Sequence, residues 1–334
     1  MKLSDIGEFG LINHISKYFN YNIDDIKGIG DDCAIIKNDN NNAWIITTDM
    51  LIEDIHFLIN KISPFELGYK SLAVNLSDIA AMGGIPHSFF ISIGIPKKIS
   101  DAEWIEEFYK GLKNLSDRFN TFLLGGDTTK SPDKFVISIT VIGRVEISKV
   151  KTRNGAKPGD LICLTDYVGD SSAGLKVILE DLKIDNTTKY LITKHNVPDP
   201  QIEIGMFLSE YHCVHAMMDV SDGIESDIQR IMEQSNVGAE ISVEKLPFSD
   251  NLKMFCKEYN LNPFEFGLFG GEDYCLLFTV DASESEKLNR TFYEKFGKYP
   301  YVVGKITEKT GVLELKYYDQ KFDIKGHGFD HFKV

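Results

Sequence analysis

The chain has 334 residues, of which 43% are hydrophobic and 26% charged, the balance of an ordinary globular protein. This length exceeds what one hydrophobic core usually supports, so we expect two domains. The formal net charge of −14 argues against a nucleic-acid partner. No run of about 18 apolar residues and no secretory signal occurs, so we expect no membrane partner and a cytoplasmic location.

The five cysteines lie far apart and form no C-x-x-C pair. This spacing is unlike a zinc site or a redox dithiol, and it predicts buried thiols in a reducing compartment.

The first 150 residues predict a mixed α/β unit. Leu11, Ile15 and Phe19 indicate a short helix. Two longer helices begin at capping boxes, one at Ser63 and one at Ser100. Apolar runs predict strands over Trp44–Thr48, Ser88–Ile95 and Phe135–Gly143.

The segment Lys151–Asp160, KTRNGAKPGD, is charged and carries Gly and Pro without an apolar period. We place the domain boundary there, which gives domains of residues 1–150 and 151–334. Strand-like and helix-like runs alternate beyond it. The predicted strands are Leu161–Thr165, Cys213–Met218, Ala239–Val243, Tyr274–Val280, Tyr301–Ile306 and Val312–Tyr317. The predicted helices are Ser172–Glu180, Gln201–Glu210, Ile224–Gln234 and Ser283–Phe296. The fold class is therefore α/β (α+β), with helices covering one face of each sheet.

Five short strings place aspartates beside small residues at the expected ends of elements. They are GIGDD (28–32), TTDM (47–50), NLSD (75–78), GGDTT (125–129) and MDVSDG (218–223). Carboxylates are ligands for Mg²⁺, which shares its remaining positions with substrate phosphates. Any single string could be a helix cap or an Asx turn. Their recurrence favours a magnesium–phosphate site.

The usual phosphate-binding loops are missing. GGDTTKS lacks the second glycine of a P-loop and places an acid where phosphate would lie. GIGDDC departs from the dinucleotide fingerprint, and the protein-kinase motifs are absent. Phosphate chemistry here would therefore depend on metal ions. The roles of His212, His215, His327 and His331 stay open.

Eight strings in order give the chain a resemblance to a known family. They are GIGDDCAII, TTDMLIEDIHF, GYKSLAVNLSDIAAMGGIP, LGGDTTKS, TRNGAKPGD, MDVSDGIESDI, GGEDYCLLF and GFDHF. From about Gly7 to Phe332 the chain resembles the thiamine-monophosphate kinase family, within the aminoimidazole-ribonucleotide-synthetase-like superfamily. The resemblance implies a two-domain fold whose N-terminal sheet pairs across a homodimer.

The resemblance also implies a reaction, the transfer of the ATP γ-phosphoryl group to thiamine monophosphate, assisted by several Mg²⁺ ions. An acceptor phosphate monoester with a second pKa near ~6 is largely ionised at neutral pH, so no general base is expected. Positioning and charge neutralisation would suffice.

The matching positions give candidate site residues. The implied metal ligands are Asp31, Thr47, Thr48, Asp49, Asp78, Asp127, Asp219 and Asp222, with Asp32 in support of Asp31. The implied ATP contacts are Gly126, Asp127, Arg153 and Ser221. The implied substrate contacts are His56, Glu272 or Asp273, and Phe329, whose ring could lie against the cationic thiazolium.

Alternatives remain at several of these positions and for the function. Asp222 could cap a helix, Arg153 could form a linker salt bridge, His56 could be structural and Phe329 could belong to a core. Cys33 and Asp54 depart from the family pattern without removing a ligand. The chain could instead be another superfamily enzyme, such as an aminoimidazole ribonucleotide synthetase. It could also be a non-catalytic sensor of magnesium-nucleotide or thiamine phosphate.

Overall fold

The structure is a computed structural model that describes residues 2–19, 23–99, 101–326, 328 and 332, apart from the side chain of residue 9. Its strands form two sheets, one on each side of the connecting segment 147–160. Within the described residues, no helix combines the length and apolar content needed to cross a membrane.

The first sheet has the spatial order β1-β2-β3-β6-β4-β5, and all its neighbours are antiparallel except β4 and β5. Its strands are β1 Ile26–Lys27, β2 Ala34–Lys37, β3 Asn42–Ile52, β4 Ile85–Pro96, β5 Phe122–Ser131 and β6 Val136–Glu146. Three helices accompany it, α1 Leu3–Ser16, α2 Pro64–Ala81 and α3 Ala102–Arg118.

The second sheet has the order β13-β12-β9-β11-β7-β10-β8, with only β9 and β12 parallel among the described pairs. Its strands are β7 Leu161–Leu164, β8 Val214–Asp219, β9 Gly238–Ser242, β10 Leu276–Val280, β11 Tyr301–Thr307, β12 Leu313–Tyr317 and β13 Gln320–Lys321. Its helices are α4 Asp170–Leu179, α5 Asn186–Asn196, α6 Ile202–Ser209, α7 Ile224–Ser235, α8 Asp250–Tyr259, α9 Pro263–Phe269 and α10 Ser285–Phe296. Short 3-10 turns cover Ile147–Lys149 and Val243–Lys245.

Helix α2 lies at the centre of the molecule. The capping box that starts it is present as predicted: the Glu66 N–H donates to Ser63 Oγ at 3.2 Å, and the Ser63 N–H donates to the Glu66 carboxylate at 3.0 Å. Nearly every residue from Leu67 to Ala81 is buried. The helix packs on the first sheet, on α3, and on α6 and β8 of the second half. The largest core cluster therefore contains residues of both halves, and the domain boundary near residue 150 stays a prediction.

Two glycines bring α2 and α3 into close contact. A Cβ on Gly68 would lie 1.8 Å from the Phe108 carbonyl oxygen, and a Cβ on Gly111 would lie 1.9 Å from that of Phe65. Any larger side chain at either position would force the two helices apart, which would disturb the helix that carries Asp78.

The structure corrects several predicted elements. Helix α3 begins after Asp101, whose carboxylate accepts from the Glu103 N–H at 2.9 Å, and Ser100 lies outside the described residues. GGDTT lies inside β5 and TTDM inside β3, so the expectation that these strings end their elements is wrong. Strands β3 and β5 continue through polar residues and glycines that have weak strand propensity. The apolar pattern of the sequence therefore did not predict strands over these residues. Helices α5, α8 and α9 were not predicted either.

All five cysteines are free thiols, as predicted. Four are buried and Cys213 is partly buried.

Candidate active site

A cavity of about 800 Å³ lies between the two halves of the chain. One wall comes from β3, the loop after it and α2. The other comes from the ends of β8 and α5 and from the turn before β10. Most of the predicted site residues line it: Asp31, Thr47, Thr48, Asp49, His56, Asp78, Arg153, Asp219, Ser221, Asp222 and Glu272. Folding therefore gathers residues that are up to 241 positions apart in the chain.

Three carboxylates that line this cavity meet one another. An oxygen from each of Asp32, Asp78 and Asp219 lies within 4.8 Å of the others, and we call this set the acidic cluster. Asp78 occupies the last turn of α2, Asp219 ends β8, and Asp32 belongs to the loop before β2. These elements meet because α2 packs directly against β8.

Neighbouring hydroxyls orient two of these carboxylates. Thr47 Oγ1 donates to Asp78 Oδ2, and Ser77 Oγ donates to Asp219 Oδ2 at 2.5 Å. Asp32 Oδ2 is buried and has no hydrogen-bond partner among the described residues. An unsatisfied buried carboxylate oxygen is costly unless a proton or a cation reaches it.

Burial and mutual repulsion act on the acidic cluster together. Burial, with the charge of Asp32, raises the pKa of Asp219 to about 7. Burial, with the charges of Asp49 and Asp219, raises the pKa of Asp78 well above its ordinary value. Two carboxylates ~4.8 Å apart repel by roughly 3 kcal/mol at an effective dielectric of ~20. A cluster of hard carboxylate oxygens whose pKa values are raised matches the ligands that a divalent cation such as Mg²⁺ prefers.

Asp49 extends the acidic region along β3. Burial and the charges of Asp222 and Asp32 raise its pKa to about 6. The charges of these carboxylates therefore act on one another. Its backbone N–H donates to Asn75 Oδ1 at 3.1 Å, which ties the strand to α2. Thr48, beside it, donates to the Ile139 carbonyl oxygen at 3.1 Å, within the sheet.

Asp222 stands at the start of α7 without capping it. The N-cap residue is Gly223, whose helix end has no side-chain cap, and Arg230 Nη2 lies 2.5 Å from Asp222 Oδ2. The helix-cap alternative is therefore wrong for this residue. Asp227 lies beside the same arginine and is fully buried, and its Oδ1 has no hydrogen-bond partner among the described residues. Burial raises the pKa of Asp227 as well.

Arg153 joins the connecting segment to the GIGDD loop. Its Nε donates to Asp32 Oδ1 at 3.2 Å, and its backbone N–H donates to Asp31 Oδ1 at 3.1 Å. Asp31 also pairs with Lys27 at 2.8 Å. Asp31 lines the cavity, but Asp32 is the member of this pair that belongs to the acidic cluster. The sequence analysis gave Asp32 only a supporting role.

His56 and Glu272 also line the cavity. The Ile52 N–H donates to His56 Nδ1 at 3.0 Å, so this neutral ring carries its proton on Nε2. Glu272 lines the cavity, whereas Asp273 does not. The Asp273 carboxylate accepts from the Gly169 N–H at 2.6 Å and the Ser171 N–H at 3.2 Å, at the start of α4. Burial raises its pKa to about 8. Phe329 lies outside the described residues.

Gly126 and Asp127 lie apart from the cavity. The sheet register aligns Asp49, Ile139, Ile91 and Gly126 across β3, β6, β4 and β5. Three strand spacings of about 4.8 Å therefore separate Asp49 from Gly126, roughly 14 Å. Both Gly126 and Asp127 are exposed on the edge strand. Packing alone explains the glycine, because a Cβ there would lie 1.6 Å from the Ile91 carbonyl oxygen.

The cavity residues that the sequence analysis did not predict include Lys70, His195, Arg230 and Tyr274. Arg230 follows Asp222 by two helical turns, so the pattern of α7 could have indicated it. Lys70 and His195 had no comparable local signal. Among the histidines left open, His215 pairs with Asp160 at 2.9 Å, away from the cavity. His327 and His331 lie outside the described residues.

Two protein-family models match this chain. AIR synthase related protein, N-terminal domain, matches residues 30–145, and AIR synthase related protein, C-terminal domain, matches residues 157–316. The chain thus has the mixed α/β AIR synthase-like fold, with its cavity between the two matched regions.

Individual relatives within this fold class identify the family more closely. Thiamine-monophosphate kinase of Bacillus subtilis is 36% identical over 98% of this chain and 99% of its own length. Thiamine-monophosphate kinase of Escherichia coli K12 is 39% identical over 82% of each chain. The solved structure of AaThiL complexed with AMPPCP and TMP matches with a TM-score of 0.87 and 34% identity over 99% of both chains. The chain belongs to the thiamine-monophosphate kinase family.

Proposed function

We propose that this protein is an ATP-dependent kinase that converts thiamine monophosphate to thiamine diphosphate. The observation that carries the proposal is the acidic cluster of Asp32, Asp78 and Asp219, which lines a cavity of about 800 Å³. A relative of this chain binds AMPPCP, an ATP analogue, together with TMP.

The acidic cluster would hold several Mg²⁺ ions, with Asp49 and Asp222 beside it. When bound, these ions would neutralise the nucleotide phosphates and stabilise charge on the transferred phosphoryl group. The chain's own contribution is positioning. Thr47 and Ser77 fix the orientation of the Asp78 and Asp219 carboxylates, so the ligands need little rearrangement.

The cavity has no need of a general base. The acceptor phosphate is already ionised near neutral pH, with a second pKa of about 6. Arg153 and Ser221 line the cavity next to the acidic cluster, where a guanidinium can bind phosphate oxygens in a fork. Arg153 also donates to Asp32. We propose that nucleotide binding competes for this guanidinium.

Direct assay tests the activity. Purified protein with ATP, Mg²⁺ and thiamine monophosphate should yield ADP and thiamine diphosphate in equal amounts, measured by chromatography. Thiamine, which lacks the acceptor phosphate, should give no product, and AMPPCP should inhibit. A sensor would bind both ligands and release no ADP. Formation of ADP without thiamine diphosphate would point to another acceptor and contradict the proposal.

We also propose that the protein acts as a homodimer joined through β5. This strand is the edge of the first sheet, and Phe122, Leu123 and Leu124 are 48 to 60% exposed on it. An exposed apolar edge is a template for pairing with a second copy. Asp127 and Gly126 would then act at the partner subunit's cavity. Light scattering after size-exclusion chromatography should report about twice the monomer mass of 37.7 kDa. We retain the cytoplasmic location as a prediction, which the five free thiols support.

A further inference from the structure

Three side chains that line the cavity come from separate parts of the chain and meet one another. Lys70 Nζ lies 3.1 Å from Glu272 Oε1 and 3.3 Å from His195 Nε2. His195 Nδ1 lies 3.3 Å from Glu272 Oε2 and 3.1 Å from Ser171 Oγ. Lys70 comes from α2, His195 from α5 and Glu272 from the turn before β10. We call these residues the Lys70–His195–Glu272 triad.

The arrangement of donors fixes the histidine tautomer. A lysine ammonium only donates, so His195 Nε2 accepts and Nδ1 carries the proton. That proton points toward Glu272 Oε2 and Ser171 Oγ. Burial and the adjacent ammonium of Lys70 lower the pKa of His195 to about 4, so the ring is neutral near pH 7. Lys70 is therefore the cation that pairs with the Glu272 carboxylate.

Glu272 is the member of the triad that faces open space. Its side chain is 27% exposed, against 1% for Lys70 and 4% for His195. Burial raises the pKa of Glu272, but the adjacent ammonium of Lys70 outweighs it, and the pKa lies below its ordinary value. The carboxylate thus stays ionised, and part of the side chain remains open to the cavity.

The backbone at Glu272 is strained. Its φ is +62°, in the left-handed region that non-glycine residues rarely adopt, and Tyr274 repeats this at +52°. The Glu272 N–H donates to the Ser221 carbonyl oxygen at 2.8 Å, which holds the turn against the site. Such conformations persist where the surrounding structure fixes them, and they concentrate at ligand-binding sites.

Helix α2 separates the triad from the acidic cluster. Lys70 precedes Asp78 by eight positions on this helix, which is about 12 Å at ~1.5 Å per residue. A ligand that places its phosphate at the acidic cluster would therefore reach the triad with its organic end. The carboxylate of Glu272 suits a cationic ring or amino-group donors at that end.

We propose that Lys70 and His195 are positioning residues that set the Glu272 carboxylate for the thiamine part of the acceptor substrate. The inference rests on the proposed function. In this proposal, neither residue contacts ATP or the transferred phosphoryl group. Both act through Glu272, by holding one rotamer of a carboxylate that the strained turn brings to the cavity.

Replacement of the ammonium tests this directly. Lys70→Met keeps the volume and leaves Glu272 without its counter-ion. Since hydrogen bonds to charged groups contribute about 1.5–3 kcal/mol, KM for thiamine monophosphate should rise roughly 10- to 100-fold. KM for ATP and kcat should stay within about threefold. A fall in kcat at unchanged acceptor KM would place Lys70 at the reacting phosphates and overturn the proposal.

A second buried lysine provides the matched control. Lys151 is 6% exposed, and its Nζ donates to the carbonyl oxygens of Tyr211 at 2.8 Å and Val214 at 2.9 Å, outside the cavity. Lys151→Met should lower thermal stability and leave the acceptor KM unchanged. An equal rise of the acceptor KM in this variant would mean that loss of any buried lysine has this effect, and the proposal would fall.

A double variant separates action through Glu272 from general damage. If Lys70 acts only by positioning Glu272, Lys70→Met combined with Glu272→Gln should raise the acceptor KM no more than Glu272→Gln alone. Additive effects would overturn the proposal. If Lys70→Met does not fold, His195→Gln replaces it in the same cycle, with an expected rise of roughly 3- to 10-fold.

The activity of the parental protein distinguishes failure of the proposed function from failure of this inference alone. Absence of thiamine diphosphate formation by the parental protein would overturn the proposed function. Parental activity together with an unchanged acceptor KM in the Lys70 and His195 variants would overturn this inference alone.

Discussion

Two regions of the molecule carry aspartates in similar strings but in opposite environments. The acidic cluster is buried between the halves of the chain, and burial raises the pKa of its carboxyl groups. Asp127 is exposed on the edge strand β5, and its Oδ1 accepts only the local Thr128 N–H at 2.9 Å among the described hydrogen bonds. The first region brings three carboxylates together within one chain, whereas the hydrogen bond described for Asp127 is a local one.

This difference separates two requirements of the proposed reaction. Asp49 and Gly126 are level with each other across the first sheet, yet roughly 14 Å apart. No single Mg²⁺, with oxygen ligands at about 2.1 Å, can bridge that distance. Either Asp127 serves the cavity of a partner subunit or it has no part in the site.

The largest effect is expected at the acidic cluster. Asp78→Asn keeps the shape and can still accept from Thr47, but it removes one negative charge from the cation site. Activity should fall at least roughly 100-fold, because metal positioning and charge neutralisation carry the reaction. Added Mg²⁺ should also lose most of its stabilising effect, measured by thermal unfolding.

Asp117→Asn is the matched control for that variant. Asp117 lies near the end of the neighbouring helix α3, and its side chain is 63% exposed and pairs with Lys113. Its loss should change activity less than twofold. Near-parental activity in Asp78→Asn would remove Asp78 from the proposed site.

The second prediction asks which cavity Asp127 serves. Asp127→Asn should be nearly inactive, yet it should retain Mg²⁺-dependent stabilisation because its acidic cluster is intact. Unfolded and refolded together, Asp127→Asn and Asp78→Asn chains would form mixed dimers with one site free of both changes. An equal mixture should then recover about one quarter of the parental activity. No recovery, with mixed dimers demonstrated, would contradict a shared site.

The sequence predicted the parts of this molecule that depend on local signals. The capping box at Ser63 located α2, and the position of Asp78 in its last turn followed from the helix period. The choice between Asp31 and Asp32 could not follow, because the loop backbone decides which of two adjacent carboxylates enters the cluster. Lys70 and Glu272 are 202 positions apart, so only tertiary folding pairs them. Glycine weakens a strand pattern, so the sequence did not predict β5 as a strand.

The third prediction concerns the edge strand itself. Leu124→Lys places a charge at a position that is 56% exposed in the single chain. If β5 joins two copies, the dimer should dissociate, and light scattering should report the monomer mass. Activity should fall roughly tenfold or more, in step with dissociation. Met254→Lys on α8, equally exposed at 55%, should leave mass and activity unchanged.

The smallest effect is a change in how Mg²⁺ stabilises the protein with pH. Burial raises the folded-state pKa of Asp219 to about 7, above an unfolded value near 4. Without metal, the folded chain therefore takes up a proton that the unfolded chain lacks, and its stability falls as pH rises from 6.5 to 8.5. His195, with a folded pKa of about 4, is neutral in both states over that window. Bound Mg²⁺ replaces the proton, so its increase of the melting temperature should be roughly 2 to 4 °C larger at pH 8.5 than at pH 6.5. Asp219→Asn should reduce this pH dependence. An equal Mg²⁺ effect at both pH values would show that the acidic cluster does not exchange protons for the ion.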